Sequence, residues 1–389
     1  MARLFLKKNE EHRIKEGHLW VFSNEVHRID GDVVNGDVIE ICDFGKHSLG
    51  FGFYNKNSLI AVRLLAPSFS GDVRAYINKA LSRAYELRRS VYPHRESFRL
   101  VFSESDFLPG LIIDKYNDTY VLQVYSMGMQ MNIGSVVDVL RNEFKAKNIF
   151  TKNEPYFRKL EGLPDSDEVY YGEEDEEMID DGKISYKINF SNTQKTGFYF
   201  DQYDNREYIE QFVKGKNVLD AFCNAGGFGL HALIAGALKV TFVDSSGSEV
   251  RNSEDNSKLN NLYNGCEFVT SDVFDFLEDC MRYNRKFDMV ILDPPAFAKS
   301  RKSIPSAIKG YIKLNKLALQ CISENGFLVT SSCSHHVDRE NFLSAVNAAS
   351  VKSNKRLQLI HIGGASKDHP ILPAMIETSY LKFAVFRIY

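Results

Sequence analysis

The second half of the chain alternates strand-like and helix-like segments, and this alternation constrains the fold more than any other feature. From about Asn217, short apolar runs such as NVLDAF, KVTFVD and FDMVILD are separated by longer segments whose apolar residues have helical spacing. Strands that alternate with helices form an open, largely parallel sheet covered by helices. We therefore expect residues 191–389 to form an α/β domain of this kind.

The first half of the chain has two other rhythms. Residues 1–70 contain short strands at regular turn spacing, which is typical of a small β-barrel. Residues 72–91 have helical spacing and stop before Pro93, and further strands and one helix follow. The sequence thus predicts a multi-domain α/β protein with a β-barrel domain at 1–70, a linking helix and central α+β domain at 71–190, and the α/β domain at 191–389.

Composition and the distribution of apolar residues and cysteines argue against a disordered, membrane-spanning, secreted or zinc-binding protein. The chain has 389 residues, of which 44% are hydrophobic and 25% charged, as in ordinary globular proteins. No apolar run is long enough for a membrane span, and no secretory signal is evident near the N-terminus. Six scattered cysteines form neither a CxxC pair nor a zinc-binding pattern. We expect a cytoplasmic protein with reduced thiols, no metal site and no membrane contact.

Polar residues stand where four successive strands of the predicted sheet end. The first strand runs from Asp220 into a loop with Asn224, Gly226 and Gly227, and the second ends at Asp244. Asp272 and Asp293 follow two further strands. Ligands of such sheets bind beyond the carboxyl ends of the strands, although each Asp taken alone could simply cap a helix.

The loop chemistry favours a nucleoside with a small tail. The loop lacks the GxGxxG pattern and a phosphate-binding lysine, which disfavours a dinucleotide or a triphosphate. S-adenosylmethionine (SAM) fits, with Asp244 at the ribose hydroxyls and Asp272 near the adenine. The remaining predicted cofactor-binding residues are Asp220, Asn224, Gly226, Gly227 and Asp293.

Two further elements predict chemistry on a planar base. Asp293, Pro294 and Pro295 form a stiff segment that can present a carboxylate to a base, with Phe297 available for stacking. Cys333 follows the next strand, beside hydroxyls and two histidines, where a thiol could act as a nucleophile. A structural turn and an inert buried cysteine are the alternatives.

The motifs together resemble the bacterial class I SAM-dependent ribosomal RNA methyltransferases of the large-subunit cytosine-5 type. The resemblance covers essentially the whole chain and implies a PUA-like domain, a central α+β domain and a Rossmann-like methyltransferase domain. The segments that carry it are His18–Ser23, Glu104–Leu111, Lys195–Gln202 with Asn205 and Arg206, Asp293–Phe297, Gly310 and Tyr311 with Leu314 and Asn315, Ser332–Ser334, Asp368–Pro370, and Glu377 with Tyr380–Lys382.

This resemblance implies a covalent mechanism. The Cys333 thiolate would add to carbon 6 of cytosine, and Asp293 would hold the base edge. Two-cysteine RNA enzymes place a second Cys near Asp-Pro-Pro, where this chain has Ala296, so another base must remove the carbon-5 proton. Glu377 is the candidate, with His335 and His336 as alternatives. Substrate contacts are expected from Pro294, Pro295, Phe297, Lys195 and Arg206.

The implied partners are ribosomal RNA and a second copy of the chain. RNA backbone could be held by basic side chains in the first 91 residues, namely Arg3, Lys7, Lys8, Arg13, Lys15, Arg83, Arg88 and Arg89. Two other readings remain open. One is an RNA methyltransferase that acts on a base nitrogen, with Cys333 structural. The other is a non-catalytic RNA-binding assembly factor.

Overall fold

The computed structural model describes residues 1–173, 176–191, 196–298 and 300–389. Lys195, a predicted substrate contact, lies outside these residues. Internal contacts divide the chain into two units. Unit 1 comprises Met1–Ile179, Ile188–Phe198 and Lys367–Thr378, and unit 2 comprises Asp180–Lys187, Tyr199–Ser366 and Ser379–Tyr389. The finer division into three domains stays a prediction.

Unit 1 begins with the predicted short strands, which form a six-stranded sheet in the order β2-β6-β5-β4-β1-β3. Alternate side chains of these strands point into a small core that includes Leu4, Ile39 and Val62. The helix α1 spans His12–Lys15. The strands are β1 (Arg3–Leu6), β2 (Trp20–Phe22), β3 (Val26–Asp30), β4 (Val38–Cys42), β5 (Ser48–Tyr54) and β6 (Ile60–Ala66).

The predicted linking helix is α2 (Val73–Val91). Asp72 caps it by accepting a hydrogen bond from the backbone N–H of Ala75, and its buried face carries Ile77 and Leu81. Helix α2 packs on a five-stranded sheet in the order β11-β10-β9-β8-β7. The elements of this part are β7 (Phe98–Phe102), β8 (Leu111–Tyr116), β9 (Thr119–Val124), α3 (Met127–Met131), α4 (Ile133–Asn142), β10 (Asn148–Thr151), α5 (Pro155–Glu161) and β11 (Val169–Tyr171).

One predicted RNA contact on α2 is wrong. The Arg88 side chain is fully buried, and its guanidinium donates to both carboxylate oxygens of Asp106, at 2.5 and 2.8 Å. It also donates to the carbonyl oxygen of Asp368 at 2.6 Å. A buried arginine satisfied in this way braces unit 1 and has no donor to offer to RNA. Arg83, on the same helix, is exposed.

The strands β12 (Glu176–Asp180) and β13 (Ser185–Asn189) form a two-stranded sheet, and the division between the units passes through them. Unit 2 then contains a seven-stranded sheet in the order β16-β15-β14-β17-β18-β20-β19. Its strands are β14 (Asn217–Ala221), β15 (Lys239–Asp244), β16 (Cys266–Thr270), β17 (Phe287–Leu292), β18 (Ile322–Ser332), β19 (Leu357–Gly363) and β20 (Lys382–Ile388).

Strands β14 to β18 pair in parallel, and β20 runs antiparallel to both of its neighbours. The predicted open, largely parallel α/β sheet is confirmed. The central strands are buried because helices flank the sheet. The helices of unit 2 are α6 (Tyr203–Ile209), α7 (Gly227–Ile234), α8 (Gly247–Leu259), α9 (Val273–Arg282), α10 (Ile304–Cys321) and α11 (Arg339–Lys352). Among the described residues, no helix is both long and apolar enough to cross a membrane.

Candidate active site

The predicted glycine loop joins β14 to α7 in a tight turn. Phe222 and Asn224 have positive φ angles of 64° and 47°, and Gly226 has φ 84°. A Cβ atom at Gly227 would lie 2.5 Å from Nε of the buried Arg206, so the Arg206 side chain would have to shift to admit any larger residue there. The glycines therefore allow a close approach of backbone that larger residues would block.

Two side chains of helix α8 donate hydrogen bonds to the backbone of this loop. Ser253 Oγ donates to the carbonyl oxygen of Asn224 at 2.6 Å, and Asn256 Nδ2 donates to that of Ala225 at 3.1 Å. Both side chains are buried. The loop is thus held in one conformation by its own unit, which is the condition for a preorganised binding site.

Asp244 and Asp272 lie where they were predicted, at the carboxyl ends of neighbouring strands. Asp244 Oδ2 accepts from the N–H of Asn224 at 3.1 Å, and its Oδ1 accepts from that of Ser246 at 2.9 Å. Asp272 caps α9 through Oδ1 and is exposed. Each carboxylate oxygen has a second lone pair, so capping leaves both residues able to accept from a ligand.

Asp220 stabilises the start of α7, the helix that follows the glycine loop. It is 1% exposed, and its Oδ2 accepts from the N–H of Gly229 in the first turn of α7 at 2.8 Å. Burial raises the pKa of Asp220 to about 7. Its predicted direct contact with the cofactor stays a prediction.

Asp293 follows β17 and is oriented by Gln202. Nε2 of Gln202 donates to Oδ1 of Asp293 at 2.7 Å and approaches Oγ of Ser331 at 3.3 Å. Burial raises the pKa of Asp293 to about 7, and the nearby Asp201 carboxylate acts in the same direction. A carboxyl group with this pKa can hold or give up a proton near neutral pH.

Cys333 lies beside the Asp-Pro-Pro segment. Its Sγ is 3.7 Å from the carbonyl oxygen of Pro294, and the residue is half-buried. The N–H of Ala298 donates to Oγ of Ser334 at 3.1 Å, which joins the two loops a second time. The structure therefore brings together the two elements that sequence analysis proposed for the same pocket.

Tyr311 contacts the side chains of the residues on both sides of Cys333. Its hydroxyl accepts from Oγ of Ser332 at 2.8 Å and lies 2.8 Å from Oγ of Ser334. All three side chains are buried. Both residues of the Gly310-Tyr311 motif therefore have a structural role. Tyr311 provides these hydrogen bonds, and Gly310 leaves room for Phe297, because a Cβ at Gly310 would lie 3.1 Å from its ring.

The other predicted substrate residues have mixed surroundings. Phe297 packs against Tyr311, with ring centroids 4.7 Å apart, and is only partly exposed. Pro295 is exposed and Pro294 buried. Arg206 lies against Gly227, at the glycine loop. The proposed substrate contacts of these residues stay predictions.

Glu377 belongs to unit 1, whereas Cys333 and Asp293 belong to unit 2. Its Oε2 lies 3.7 Å from Nε2 of His18. Burial lowers the pKa of His18, and the carboxylate of Glu377 opposes this effect. The predicted role of Glu377 in proton removal stays a prediction.

Sequence reasoning gave no role to several residues that shape this site. Gln202, Tyr311 and Lys382 lie within motifs that carry the family resemblance. The motifs marked these residues, but they did not indicate what each side chain does. Ser253 and Asn256 belong to a polar helix with no distinguishing pattern. Their contribution depends on contacts with a loop about 30 residues away in the chain.

The residues present fit SAM. Two carboxylates at adjacent strand ends can accept from hydroxyl and amino groups. Asp201 supplies an independent observation, because its buried Oδ1 has no hydrogen-bond partner among the described residues. Such an acceptor suits the amino group of a methionine moiety.

Comparisons with known proteins agree with this geometry. A family model for a PUA-like domain matches residues 4–67, and one for an S-adenosylmethionine-dependent methyltransferase matches residues 161–343. The ribosomal RNA large subunit methyltransferase I of Aeromonas hydrophila is 34% identical over 99% of both chains. That of Vibrio parahaemolyticus is 32% identical over 98% of both.

Two solved structures share the fold over their whole length. One, assigned as a methyltransferase and complexed with SAH, has a TM-score of 0.86 at 22% identity. The other, from Streptococcus mutans and assigned as a SAM-dependent methyltransferase, has a TM-score of 0.83 at 21% identity. Both cover 100% of this chain and 100% of their own.

Fold and site together define a SAM-dependent methyltransferase with an N-terminal PUA-like domain. The predicted fold class, enzyme class and cofactor are thereby confirmed. The full-length identity to curated relatives then places the chain in the ribosomal RNA large subunit methyltransferase I family.

Proposed function

We propose that this enzyme methylates carbon 5 of a cytosine in large-subunit ribosomal RNA, with Cys333 as the covalent nucleophile. The observation that carries the proposal is the position of Cys333 Sγ, 3.7 Å from the carbonyl oxygen of Pro294 in the Asp-Pro-Pro segment. The candidate nucleophile thus lies against the segment that begins with Asp293, whose carboxyl group would hold the base edge. The relatives' name supplies ribosomal RNA as the substrate.

The chemistry follows from the weak nucleophilicity of carbon 5. When the Cys333 thiolate bonds to carbon 6, the ring becomes an enamine whose carbon 5 can attack a methyl group. Bound SAM supplies that methyl as an electrophile on a sulfonium. Asp293, near its pKa, would hydrogen-bond the base edge and stabilise the charge that develops on the ring.

Release requires a base. Once the carbon 5–methyl bond has formed, a base takes the proton from carbon 5. The electron pair re-forms the carbon 5–carbon 6 double bond, and the thiolate of Cys333 leaves. Glu377 is our candidate base, and the exposed His335 and His336 are the alternatives.

The test is covalent trapping. RNA containing 5-fluorocytosine keeps fluorine where the proton would leave, so an active nucleophile stays bonded to the base. We expect a denaturant-resistant adduct with SAM present, and none with Cys333→Ala. Cys266→Ala is the matched control, since Cys266 is a half-buried thiol of the same unit in β16, outside the glycine loop. Full activity of Cys333→Ala, or nucleoside analysis that finds the new methyl on a base nitrogen, would refute the proposal.

The proposal includes a location and an assembly state. Ribosomal RNA is made and modified in the bacterial cytoplasm, and all six cysteines of the chain are free thiols. The family resemblance implies a homodimer. Sedimentation equilibrium of the full chain at micromolar concentration tests this, and a mass of 44.4 kDa would indicate a monomer.

A further inference from the structure

The segment that follows Asp293 has a large local excess of positive charge. The whole chain has 48 Lys and Arg against 51 Asp and Glu, whereas residues 294–323 contain six basic residues and no acidic one. The six are Lys299, which lies outside the described residues, Arg301, Lys302, Lys309, Lys313 and Lys316. The first half of this segment leaves the sheet at the carboxyl end of β17, which is the edge where ligands of such sheets bind.

The turn that carries Arg301 and Lys302 is close to the Asp-Pro-Pro segment. Arg301 is three residues beyond Ala298, whose N–H is bonded to the loop of Cys333, so the two Cα atoms are at most about 11 Å apart. The turn has its own hydrogen bonds, because Oγ of Ser303 donates to the carbonyl oxygen of Ser300 at 2.7 Å and accepts from its N–H at 3.1 Å. Its two cations are thus carried by a closed turn beside the candidate site.

Lys309 reaches the same edge from helix α10. It directly precedes Gly310, where a Cβ would lie 3.1 Å from the ring of Phe297. The backbone that carries Lys309 therefore packs next to the residue that we expect to stack on the base. The side chains of Arg301, Lys302 and Lys309 are all exposed, and we call these three residues the basic patch.

The charges of the basic patch are not compensated by acidic side chains. In the parts of the chain that the structure describes, none of the three residues forms an ion pair. By contrast, Lys313, one turn further along α10, binds Glu278 of α9 at 3.0 Å. Five of the eight cations expected to bind RNA in the first 91 residues are also ion-paired, namely Arg3 with Glu40, Arg13 with Glu25, Lys15 with Asp43, Arg88 with Asp106 and Arg89 with Glu96.

We propose that the basic patch binds the RNA phosphates that flank the target base. Clustered Lys and Arg are what phosphate binding requires, and such contacts fix the position of a strand without reading its sequence. A base that leaves its stack to enter a site brings its neighbouring phosphates to the surface around that site. The inference rests on the proposed function for its RNA substrate, and it gives unit 2 an RNA-binding surface of its own.

The salt dependence of binding tests this surface without any methylation. The probe is a fluorescein-labelled oligouridine of about 20 nucleotides, which contains no cytosine and reports binding of the backbone. The patch variant of the full chain carries Arg301→Gln, Lys302→Gln and Lys309→Gln. The control variant carries Lys214→Gln, Lys352→Gln and Arg356→Gln.

The control removes the same charge from the other edge of the sheet. Lys214 and Arg356 shortly precede β14 and β19, and Lys352 ends α11. Both strands run parallel to β17, so the three residues lie towards the amino ends of the strands. All three are exposed, and within the described ranges none has an ion pair. Calorimetric titration with SAM checks that both variants keep the fold of unit 2.

The patch variant should lose about two units of the slope of log Kd against log salt concentration, since each contact to a single strand contributes about 0.7. Its Kd at 0.1 M salt should rise by about 10- to 100-fold. The control should keep the wild-type slope. With large-subunit ribosomal RNA as substrate, KM of the patch variant should rise while kcat stays within about threefold, because phosphate contacts position the RNA and do not touch the reacting atoms. A wild-type slope in the patch variant, or an equal loss in the control, would overturn the proposal.

The wild-type protein provides a second test that needs no variant. Acetylation with an N-hydroxysuccinimide ester, read by mass spectrometry, should be slower at Lys302 and Lys309 when oligouridine is bound and unchanged at Lys214 and Lys352. Equal rates with and without the RNA at Lys302 and Lys309 would overturn the proposal even if the patch variant failed to fold.

These readouts separate the basic patch from the proposed function. A methyl group found on a base nitrogen, in an enzyme whose patch variant loses the expected slope, would refute the function and leave the RNA-binding surface standing. An enzyme that traps 5-fluorocytosine RNA while its patch variant keeps the wild-type slope would do the reverse.

Discussion

Gln202 donates a hydrogen bond from Nε2 to Oδ1 of Asp293 at 2.7 Å. The Oε1 of Gln202 in turn accepts from Nδ2 of Asn205 at 2.7 Å, so the amide cannot flip without losing a bond. These two hydrogen bonds fix the orientation of the Gln202 amide and therefore the donor that the Asp293 carboxyl group receives. The amide donor also favours the ionised form of Asp293 and so opposes the effect of burial on its pKa.

Gln202→Leu should therefore slow the methyl transfer step more than it weakens substrate binding. Removing the donor should raise the pKa of Asp293 from its value of about 7, so the acidic limb of the pH–rate profile should move to higher pH. We expect kcat to fall by about 10- to 100-fold, as is typical when an outer-shell hydrogen-bond partner of a site residue is lost. Single-turnover rates between pH 5.5 and 9 measure both effects.

Gln211→Leu is the control for that experiment. Gln211 is exposed and, among the described residues, its side chain donates to the carbonyl oxygen of Tyr208 alone, so this variant should leave the profile unchanged. A Gln202→Leu enzyme with the wild-type pH profile would show that Asp293 does not depend on this amide.

Substitutions at Arg88 and Arg83 should have different effects, the first on the free energy of unfolding and the second on RNA binding. Arg88→Met removes one partner of a fully buried ion pair and leaves the Asp106 carboxylate unpaired, which typically costs about 3–5 kcal/mol of unfolding free energy. Arg83→Ala, on the exposed face of the same helix, should leave stability nearly unchanged. It should instead reduce the salt dependence of RNA binding by about one unit of slope.

Urea unfolding and RNA titrations at several salt concentrations check these expectations. An Arg88→Met protein as stable as the wild type would mean that the buried pair contributes nothing net. An unchanged salt slope for Arg83→Ala would place the RNA footprint elsewhere.

The two arginines also show what the sequence could and could not predict. Helical spacing of apolar residues placed α2 within a residue of its bounds, because periodicity and the Asp72 cap are local features. Which arginine is buried depends on Asp106 and on Asp368, which lie 18 and 280 residues away. Local patterns contain no information on such partners.

The candidate site follows the same rule. Asp244, Asp272 and Asp293 were predictable because parallel strands bring their carboxyl ends to one edge of the sheet. The position of Lys382 was not, because β20 enters the sheet antiparallel beside β18 and its register decides which residue stands opposite Ser332. The burial of Asp220 could not be predicted either, since an acidic residue near a strand end can bind a ligand or can be a buried structural group.

A buried imidazole makes the stability of unit 2 depend on pH. The fully buried His231 places Nε2 2.8 Å from Oδ2 of Asp181 and Nδ1 2.7 Å from Oε1 of Glu210. Burial alone would lower the pKa of His231, but the bonds to both carboxylates raise it above its ordinary value. The pKa values of Asp181 and Glu210 are lowered, because hydrogen bonds to His231 outweigh their burial.

The directions of these pKa shifts determine the pH range in which the cluster stabilises unit 2. A histidine whose folded pKa is raised contributes stability that is fully present below the unfolded value of about 6.5 and is lost as pH rises through the folded pKa. The acids contribute above their unfolded values of about 4 and lose it as pH falls through their folded pKa. Wild type should therefore exceed His231→Gln in unfolding free energy by more at pH 5.5 than at pH 9, as measured by urea titration. An equal difference at both pH values would show that folding does not shift the pKa of His231.

Glu377→Gln tests which group takes the proton from carbon 5. If Glu377 is the base, the variant can still form the carbon 6–sulfur bond and transfer the methyl group, but it cannot release the product. Ordinary RNA, without fluorine, should then accumulate as a denaturant-resistant adduct on Cys333 in the presence of SAM. The adduct should vanish in the double variant with Cys333→Ala.

Thr378→Val, at the next position, is the structural control, because Thr378 donates to the carbonyl oxygen of Met375 at 2.7 Å within the same turn. It should turn over normally or lose activity without trapping RNA. If Glu377→Gln releases methylated RNA at the wild-type rate, the base must be sought among the other titratable groups, beginning with His335 and His336. Adduct accumulation in a His335→Gln or His336→Gln protein would then identify which imidazole takes the proton.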